Sequence, residues 1–275
     1  MEGSVTRSFR SRLNELPIDM KCKIGELVYQ KGMRPSNRKN KIVELLTEYG
    51  IDFVEVGTGT NRFIVKYDGF ALKIALDREG VADNVQEWVM GSMLSNVAYN
   101  FEISSGGNFL VEEYVPAFTS YSEMFTYQSS IRKILTEWSQ QYLLGDVGIC
   151  YENYANWGLA PGGIPKCIDY AYIFPASMDL FKCTCGSKNI VPTNSFTSYK
   201  CSVCGKSYED REIRSKISQD TRLRLFNQVS GVIMKDTHEF HEVSPMYNPI
   251  DTNPDRPDLY KAVHDANLMI GNIKI

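Results

Sequence analysis

Cys183-Thr-Cys185-Gly186 and Cys201-Ser-Val-Cys204-Gly205 are the two segments of this chain that most clearly fix a local fold. Two cysteine pairs, each followed by glycine and separated by a short polar stretch, have the layout of a zinc ribbon. Such a module places four thiolates around one tetrahedral ion, and the glycines permit the sharp turns. The pattern predicts a ribbon at residues 181–208 in which Cys183, Cys185, Cys201 and Cys204 bind structural Zn²⁺.

Composition places the rest of the chain among ordinary globular proteins. It has 275 residues, of which 43% are hydrophobic and 23% charged, enough for one large domain or two lobes. No apolar run is long enough to span a membrane, and the N-terminus lacks the apolar core of a signal peptide. We therefore expect a cytoplasmic protein. Of its seven cysteines, four belong to the predicted ribbon, so a disulfide scaffold is not indicated.

Charge is distributed unevenly along the chain. Residues 1–41 contain ten Lys or Arg and four Asp or Glu, whereas the remainder contains 20 against 29, which gives the net charge of -3. A basic N-terminal arm can bind phosphate or an acidic partner, although a solvated terminus explains the same residues.

Hydrophobic periodicity and turn residues predict an alternating series of elements. Ser36 and Gly50 are the expected start and end signals of a helix at 37–49. Later helices are expected at 81–95, 128–144 (ended by Gly145), 209–234 and 257–268. Strands are expected at Ile51–Val56, Arg62–Tyr67, Phe70–Leu76, Asn108–Val115, Trp157–Leu159 and Lys166–Asp169.

Over roughly residues 50–175, this order resembles the protein-kinase-like superfamily, which includes the aminoglycoside phosphotransferases. The resemblance implies an α+β, two-lobed fold with the zinc ribbon inserted in the large lobe. It divides the chain into a basic N-terminal arm and helix (1–49), a small β-rich nucleotide-binding lobe (50–115) and a helical large lobe (116–275). It also implies an ATP- and Mg²⁺-dependent phosphotransferase with a protein as substrate or partner.

Motifs of the small lobe carry the first part of the resemblance. Gly57-Thr-Gly59 would let the backbone approach the ATP phosphates, with Arg62 where the family's third glycine falls. Lys73, in Ala71-Leu-Lys-Ile74, is similar to the family's phosphate-binding lysine, and Glu87 would orient it. Glu79 and Asp83 are rival carboxylates nearer the helix start.

The connector between the lobes is expected at Glu112-Glu113-Tyr-Val115. There the resemblance implies that backbone groups of Glu113 and Val115 bind the adenine edge. A buried strand end accounts equally well for these residues.

The catalytic region carries the second part of the resemblance. Asn156 and Asp169, thirteen residues apart around the turn Pro161-Gly-Gly163, match the family's pair of Mg²⁺ ligands. Tyr170 and Ala171 replace the Phe and Gly that normally follow the Asp. The family's general base falls at Tyr151, which carries no carboxylate, so Asp146 is the candidate base.

Two alternatives follow from these departures. The first is a catalytically inactive, kinase-like protein used for binding or assembly. The second is a nucleic-acid-binding zinc protein that uses the basic arm or the ribbon. The ribbon residues available for nucleic-acid or protein contacts are Lys182, Lys188, Lys200, Lys206, Phe196, Tyr199 and Tyr208.

Overall fold

The computed structural model describes residues 11–176, 180–217 and 221–222. This part of the chain is a mixed α+β protein that contains several small antiparallel sheets. None of its helices has both the length and the apolar character required to cross a bilayer. The expected helix at 257–268 and most of the one at 209–234 lie outside the described residues.

Three helices precede the first sheet, where only one was expected. They are α1 (Arg12–Glu15), α2 (Ile18–Tyr29) and α3 (Pro35–Glu48). Helix α3 begins at Pro35 rather than being capped by Ser36, because proline suits the first helical position, where its missing N–H costs nothing. Gly50 follows the helix with φ of 67°, the left-handed conformation that ends helices, as expected.

The largest sheet has five antiparallel strands in the order β1-β2-β3-β5-β4. Its strands are β1 (Val54–Thr58), β2 (Arg62–Tyr67), β3 (Phe70–Ala75), β4 (Asn100–Ile103) and β5 (Phe109–Glu113). One face packs on the N-terminal helices, where Leu72 and Ile74 of β3 join Met20 and Ile24 of α2 in a core. The alternation of β3 therefore turns Lys73 to the opposite face, as the sequence predicts.

Helix α4 (Arg78–Gly91) contacts strands β3, β4 and β5. It begins three residues before the expected start, because the Asp77 side chain accepts a hydrogen bond from the Gly80 N–H and caps the first turn. Strand β4 was not expected from the sequence.

The segment after the first sheet differs most from expectation. It contains α5 (Tyr121–Thr126), α6 (Gln128–Trp138) and β6 (Tyr142–Leu144). The helix expected at 128–144 ends at Trp138, because residues 142–144 instead pair with β9 (Ile173–Pro175). Gly145 therefore follows a strand. The expectation that Gly145 ends the helix was wrong.

A short 3-10 helix (Tyr151–Asn156) leads into the expected hairpin of β7 (Trp157–Ala160) and β8 (Ile164–Cys167). The ribbon region contains β10 (Ile190–Pro192), β11 (Ser198–Cys201) and β12 (Ser207–Glu209), followed directly by α7 (Asp210–Arg214). Phe181, Tyr199 and Tyr208 of this region share one apolar core with Trp138 and Trp157. The ribbon is therefore packed into the protein.

Candidate functional site

Lys73 and Glu87 meet between the five-stranded sheet and helix α4. Lys73 Nζ lies 2.7 Å from Glu87 Oε2, and both side chains are essentially inaccessible to solvent. Glu87 also accepts a hydrogen bond of 2.9 Å from the backbone N–H of Tyr170. One carboxylate thus joins strand β3 to the segment that carries Asp169.

Lys73 makes two further short contacts. Its Nζ lies 2.9 Å from Glu112 Oε1 and donates to the carbonyl of Ile168 at 2.6 Å. An ammonium group has three hydrogens, and Glu87, Glu112 and Ile168 together supply three acceptors. Only 1% of the Lys73 side chain is exposed, so its hydrogen-bonding capacity is filled from within the protein.

Arg62 lies at the centre of the same charge cluster. Its guanidinium donates to both oxygens of Glu87, at 2.7 and 3.1 Å, and to Asp169 Oδ1 at 2.8 Å. The side chain is 4% exposed. From the sequence, Arg62 was identified only as a departure from the family's third glycine. The sequence could have pointed to Arg62 as a member of the cluster, because this arginine follows a glycine turn and begins the strand next to the one that carries Lys73.

The carboxylates of this cluster respond differently to burial. Burial raises the pKa of Glu112 to about 8 and Glu87 adds to this effect, against the opposing charge of Lys73. Among the described residues, Glu112 Oε2 has no hydrogen-bond partner, whereas Glu87 is held by Arg62 and Lys73 together. The raised pKa of Glu112 therefore belongs to a buried carboxylate whose charge is incompletely compensated.

Asp169 shows the opposite balance. Burial acts to raise the pKa of its carboxyl group, but the charges of Arg62 and Lys73 outweigh that effect and the pKa is lowered. Its side chain remains 40% exposed, unlike those of its partners. Asp169 is thus an ionised carboxylate at the edge of the cluster, where a cation could reach it.

Gly57 and Gly59 lie where strand β1 turns toward β2. The Gly59 N–H donates to the carbonyl of Arg62 at 2.9 Å. A Cβ atom at Gly57 would meet nothing within 4 Å, and one at Gly59 would meet only the Arg62 carbonyl at 3.8 Å. The turn therefore leaves open space on its outer side.

The loop between β6 and β7 is organised around Asp146. Its carbonyl accepts hydrogen bonds from Asn153 Nδ2 at 2.7 Å and from Asn156 Nδ2 at 2.6 Å. Its carboxylate accepts from Asn153 and lies 3.4 Å from Arg214. Asp146 and Asn156 are thus in contact although ten residues separate them. Tyr151, at the position where the family carries its base, is 74% exposed.

Asp146 also lies in the electrostatic field of Asp169. Burial raises the pKa of the Asp146 carboxyl group and Asp169 contributes to the rise, while Arg214 opposes it. Asn156 and Asp169 are joined through the backbone, since the Ile168 N–H donates to the Asn156 carbonyl at 2.8 Å. The two expected metal ligands, Asn156 and Asp169, therefore lie beside the paired strands β7 and β8. The side-chain amide of Asn156 is turned toward Asp146.

Glu113 and Val115 leave the sheet at the expected connector. The Glu113 carboxylate pairs with Lys166 of the β7–β8 hairpin and accepts a hydrogen bond from the Tyr99 N–H. Val115 is buried beside Gly158, whose absent Cβ would lie 2.4 Å from the carbonyl of Pro116. The connector is thus held closely against the hairpin.

A polar cavity of about 320 Å³ opens beside Asp146. Its walls come from the Asp146 loop, the ribbon and helix α7, and they include Asn153, Phe196, Thr197 and Arg214. The ribbon therefore contributes directly to the surroundings of the candidate base.

The four ribbon cysteines converge as predicted. Their sulfur atoms all lie within 4.8 Å of one another, with Cys183 to Cys204 at 3.4 Å and Cys185 to Cys201 at 3.7 Å. Four thiolates about 2.3 Å from one tetrahedral zinc ion would be about 3.8 Å apart. The cluster can therefore hold a metal ion such as zinc.

Local contacts explain this convergence. Gly186 and Gly205 adopt φ of 86° and 74°, and their N–H groups donate to the carbonyls of Cys183 and Cys201. A backbone N–H from Cys185 and the Tyr208 hydroxyl lower the pKa of the Cys183 thiol to about 6, whereas hydrogen bonds with the other three cysteines raise the pKa of Cys185 to about 12. Without an ion, the thiolate is therefore favoured at Cys183 over Cys185.

The ribbon aromatics do not form the exposed binding surface that the sequence allowed. Phe196, Tyr199 and Tyr208 are buried, because they pack into the apolar core beneath the ribbon. The four ribbon lysines are exposed, and the ammonium of Lys206 lies 5.2 Å from the centre of the Tyr208 ring.

No protein-family model and no curated protein sequence matches this chain.

Proposed function

We propose that this chain is a two-lobed, kinase-like phosphotransferase that uses ATP and Mg²⁺. The observation that carries the proposal is the buried Lys73–Glu87 ion pair at 2.7 Å, tied by Glu87 to the Tyr170 N–H beside Asp169. In phosphoryl transfer of this type, a lysine held by a helix carboxylate binds the phosphates, and an aspartate holds the metal.

The remaining candidates have consistent places around that pair. Gly57 and Gly59 would cover the phosphates, because their turn leaves open space outside. Backbone groups at Glu113 and Val115 would receive the adenine. Asn156 and Asp169 offer the oxygen ligands that Mg²⁺ prefers, and the ion would neutralise charge on the transferred group.

Asp146 is the proposed general base. Burial raises the pKa of its carboxyl group, which makes the carboxylate a better proton acceptor, and Asn153 orients it. The polar cavity beside it could admit the hydroxyl of an acceptor. We propose a protein side chain as that acceptor, as the resemblance implies.

Calorimetric titration with ATP, with and without Mg²⁺, tests the nucleotide site. We expect Mg²⁺-dependent binding that Lys73→Met and Asp169→Ala each abolish. Lys133→Met is a matched control, since this lysine is exposed on α6 and belongs to none of the proposed binding groups. Equal affinity in Asp169→Ala and the unmodified protein would exclude the proposed metal ligand.

A second candidate is an inactive, kinase-like binding protein. It is favoured by the way the cluster satisfies itself: Lys73 has three internal acceptors, and Arg62 neutralises Asp169 at 2.8 Å. Phosphates and Mg²⁺ would have to displace these contacts before binding.

Radioactive phosphate transfer from ATP separates the two candidates. The phosphotransferase proposal expects incorporation into a mixture of protein acceptors, or into the chain itself, that Asp146→Asn reduces by at least ~100-fold. The inactive candidate expects no incorporation above the Asp169→Ala background, whether or not ATP binds.

A further inference from the structure

Arg222 connects the chain beyond the ribbon to helix α4. Its side chain is 1% exposed, and its guanidinium donates to Gln86 Oε1 at 2.8 Å, to Glu79 Oε2 at 2.9 Å and to Asp83 Oδ1 at 2.5 Å. These three acceptors are spaced along α4 so that they share one face of the helix. A single side chain therefore holds two turns of α4.

The same guanidinium also reaches the segment that follows Asp169. It donates to the carbonyl of Ala171 at 3.1 Å and lies 4.3 Å from the centre of the Tyr172 ring. Arg222 thus bridges α4, which carries Glu87, and the chain just beyond Asp169. A charged planar fork with several fixed acceptors holds such a bridge more rigidly than a point charge could.

Asp83 passes this contact toward the charge cluster. It binds Arg222 through Oδ1, and its Oδ2 accepts a hydrogen bond of 3.2 Å from Asn61 and lies 4.0 Å from Arg62 Nε. Arg62 in turn binds Glu87 and Asp169. The contacts from Arg222 to Lys73 are therefore continuous and entirely polar.

Helix α7 connects the ribbon region to the surroundings of Arg222. Strand β12 runs directly into α7, whose Ile213 packs in the same core as Tyr208 and Phe181. Arg214 of α7 lies 5.0 Å from the centre of the Tyr172 ring, so Tyr172 contacts both arginines. Tyr172 is therefore a shared contact of Arg222 and of α7 in the ribbon region.

We infer that Arg222 is a positioning residue that couples the four-cysteine ribbon to helix α4. A filled ribbon holds α7 and Arg222 in place, and Arg222 holds α4 at the distance from β3 that the Lys73–Glu87 pair requires. Loss of the metal releases this restraint. The effect of this restraint on ATP binding rests on the proposed function, whereas the coupling between the ribbon and α4 does not.

Hydrogen exchange of the α4 amides tests the coupling without any ligand. In the full-length, zinc-loaded protein, Arg222→Gln is expected to speed exchange over residues 82–91 by about tenfold and to leave strands β2 and β3 unchanged. Arg222→Lys should restore part of the protection. Arg211→Gln, on exposed α7 surface, is the matched control and should not alter α4.

The variant Cys204→Ser tests the contribution of the ribbon, because it removes one thiolate from the cluster. It should speed α4 exchange as Arg222→Gln does, and the double variant should add nothing further. Exchange changes confined to residues 180–217, or an equal increase throughout the molecule in Arg222→Gln, would overturn the coupling.

Calorimetry with Mg²⁺ and ATP then reports the nucleotide site separately. We expect Arg222→Gln to weaken binding by about tenfold. If the unmodified protein does not bind ATP, the proposed function fails, yet the exchange result still decides whether Arg222 couples the ribbon to α4. Faster α4 exchange with unchanged ATP affinity would overturn the step from α4 to Lys73.

Discussion

Glu112 shows how a single residue can set the pH response of the charge cluster. Lys73 neutralises Glu87 jointly with Arg62, so Glu112 shares its counter-charge with a better-held carboxylate. With a pKa of about 8 in the folded state, Glu112 keeps a proton at neutral pH that it would lose in the unfolded chain.

Glu112→Gln is expected to change stability in a pH-dependent way. A carboxyl group with a raised folded-state pKa is most favourable below its unfolded pKa, near 4.5, and destabilises the fold as pH rises toward about 8. The glutamine mimics the protonated form, so the variant should nearly match the unmodified protein at pH 4.5 and exceed it by roughly 4–5 kcal/mol at pH 8.5. Urea unfolding across this range measures the difference; a constant offset would contradict it.

Asp169 makes the opposite contribution, because the charges of Arg62 and Lys73 lower the pKa of its carboxyl group. Because its folded-state pKa is lowered, the stability it provides is present at neutral pH and lost as pH falls through that pKa. Asp169→Asn should therefore lower the free energy of unfolding at pH 7 and have less effect at pH 3. Chemical unfolding at the two pH values checks this, and an equal loss at both would show that Arg62 contributes nothing through charge.

At the scale of elements, the sequence predicts structure well where local signals and tertiary contacts agree. Strands β2 and β3 follow their alternating pattern, and the β7–β8 hairpin follows its Pro-Gly-Gly turn. The helix expected through residue 144 fails because the apolar residues of β6 also fit a strand, and pairing with β9 decides between them. Periodicity alone contains no information about that distant partner.

In the candidate site too, the residues with local sequence signals were predicted, and those that depend on tertiary contacts were not. Lys73 and Glu87 were predicted as a pair from the resemblance and from the mid-helix position of Glu87, and the structure brings them together. Arg62 and Glu112 were not assigned to the cluster, because their burial depends on the register of β2, β3 and β5 and on the packing of α4. Arg222 lies 136 residues from its partner Gln86, so no local pattern could have connected them.

Helix α4 depends on a glycine for its approach to the sheet. A Cβ atom at Gly80 would lie 2.1 Å from the backbone carbonyl of Asn61 and 3.1 Å from the Cα of Ala75. Gly80→Ala should therefore push α4 away from β2 and lower the free energy of unfolding by about 1–3 kcal/mol, despite alanine's better helix propensity. Gly57→Ala is the control, since its Cβ meets nothing within 4 Å. Urea unfolding measures the stability of both variants. A Gly80→Ala protein more stable than the Gly57→Ala protein would contradict the predicted clash.

At the scale of the whole molecule, the ribbon is a structural part of the protein as well as a candidate metal site. Its buried aromatics share a core with Trp138, Trp157 and the strands that flank the Asp146 loop. The backbone N–H of Asp146 also donates to Asp210 Oδ2 at 2.9 Å, which ties the loop to the first residue of α7. A change in the ribbon should therefore be felt at the loop that carries the candidate base.

Zinc content and thermal unfolding test that dependence directly. We expect one zinc ion per chain by native mass spectrometry, because four sulfur atoms within 4.8 Å of one another can supply all the ligands of one tetrahedral ion. Cys185→Ser should lose the ion and lower the unfolding temperature by several degrees, since metal binding contributes to the folding free energy. Cys150→Ser is the control, because Cys150 contacts Asn153 in the Asp146 loop and lies outside the cluster. If both variants kept their zinc and melted alike, the ribbon cysteines would not be metal ligands, and the core beneath them would have to be stable without an ion.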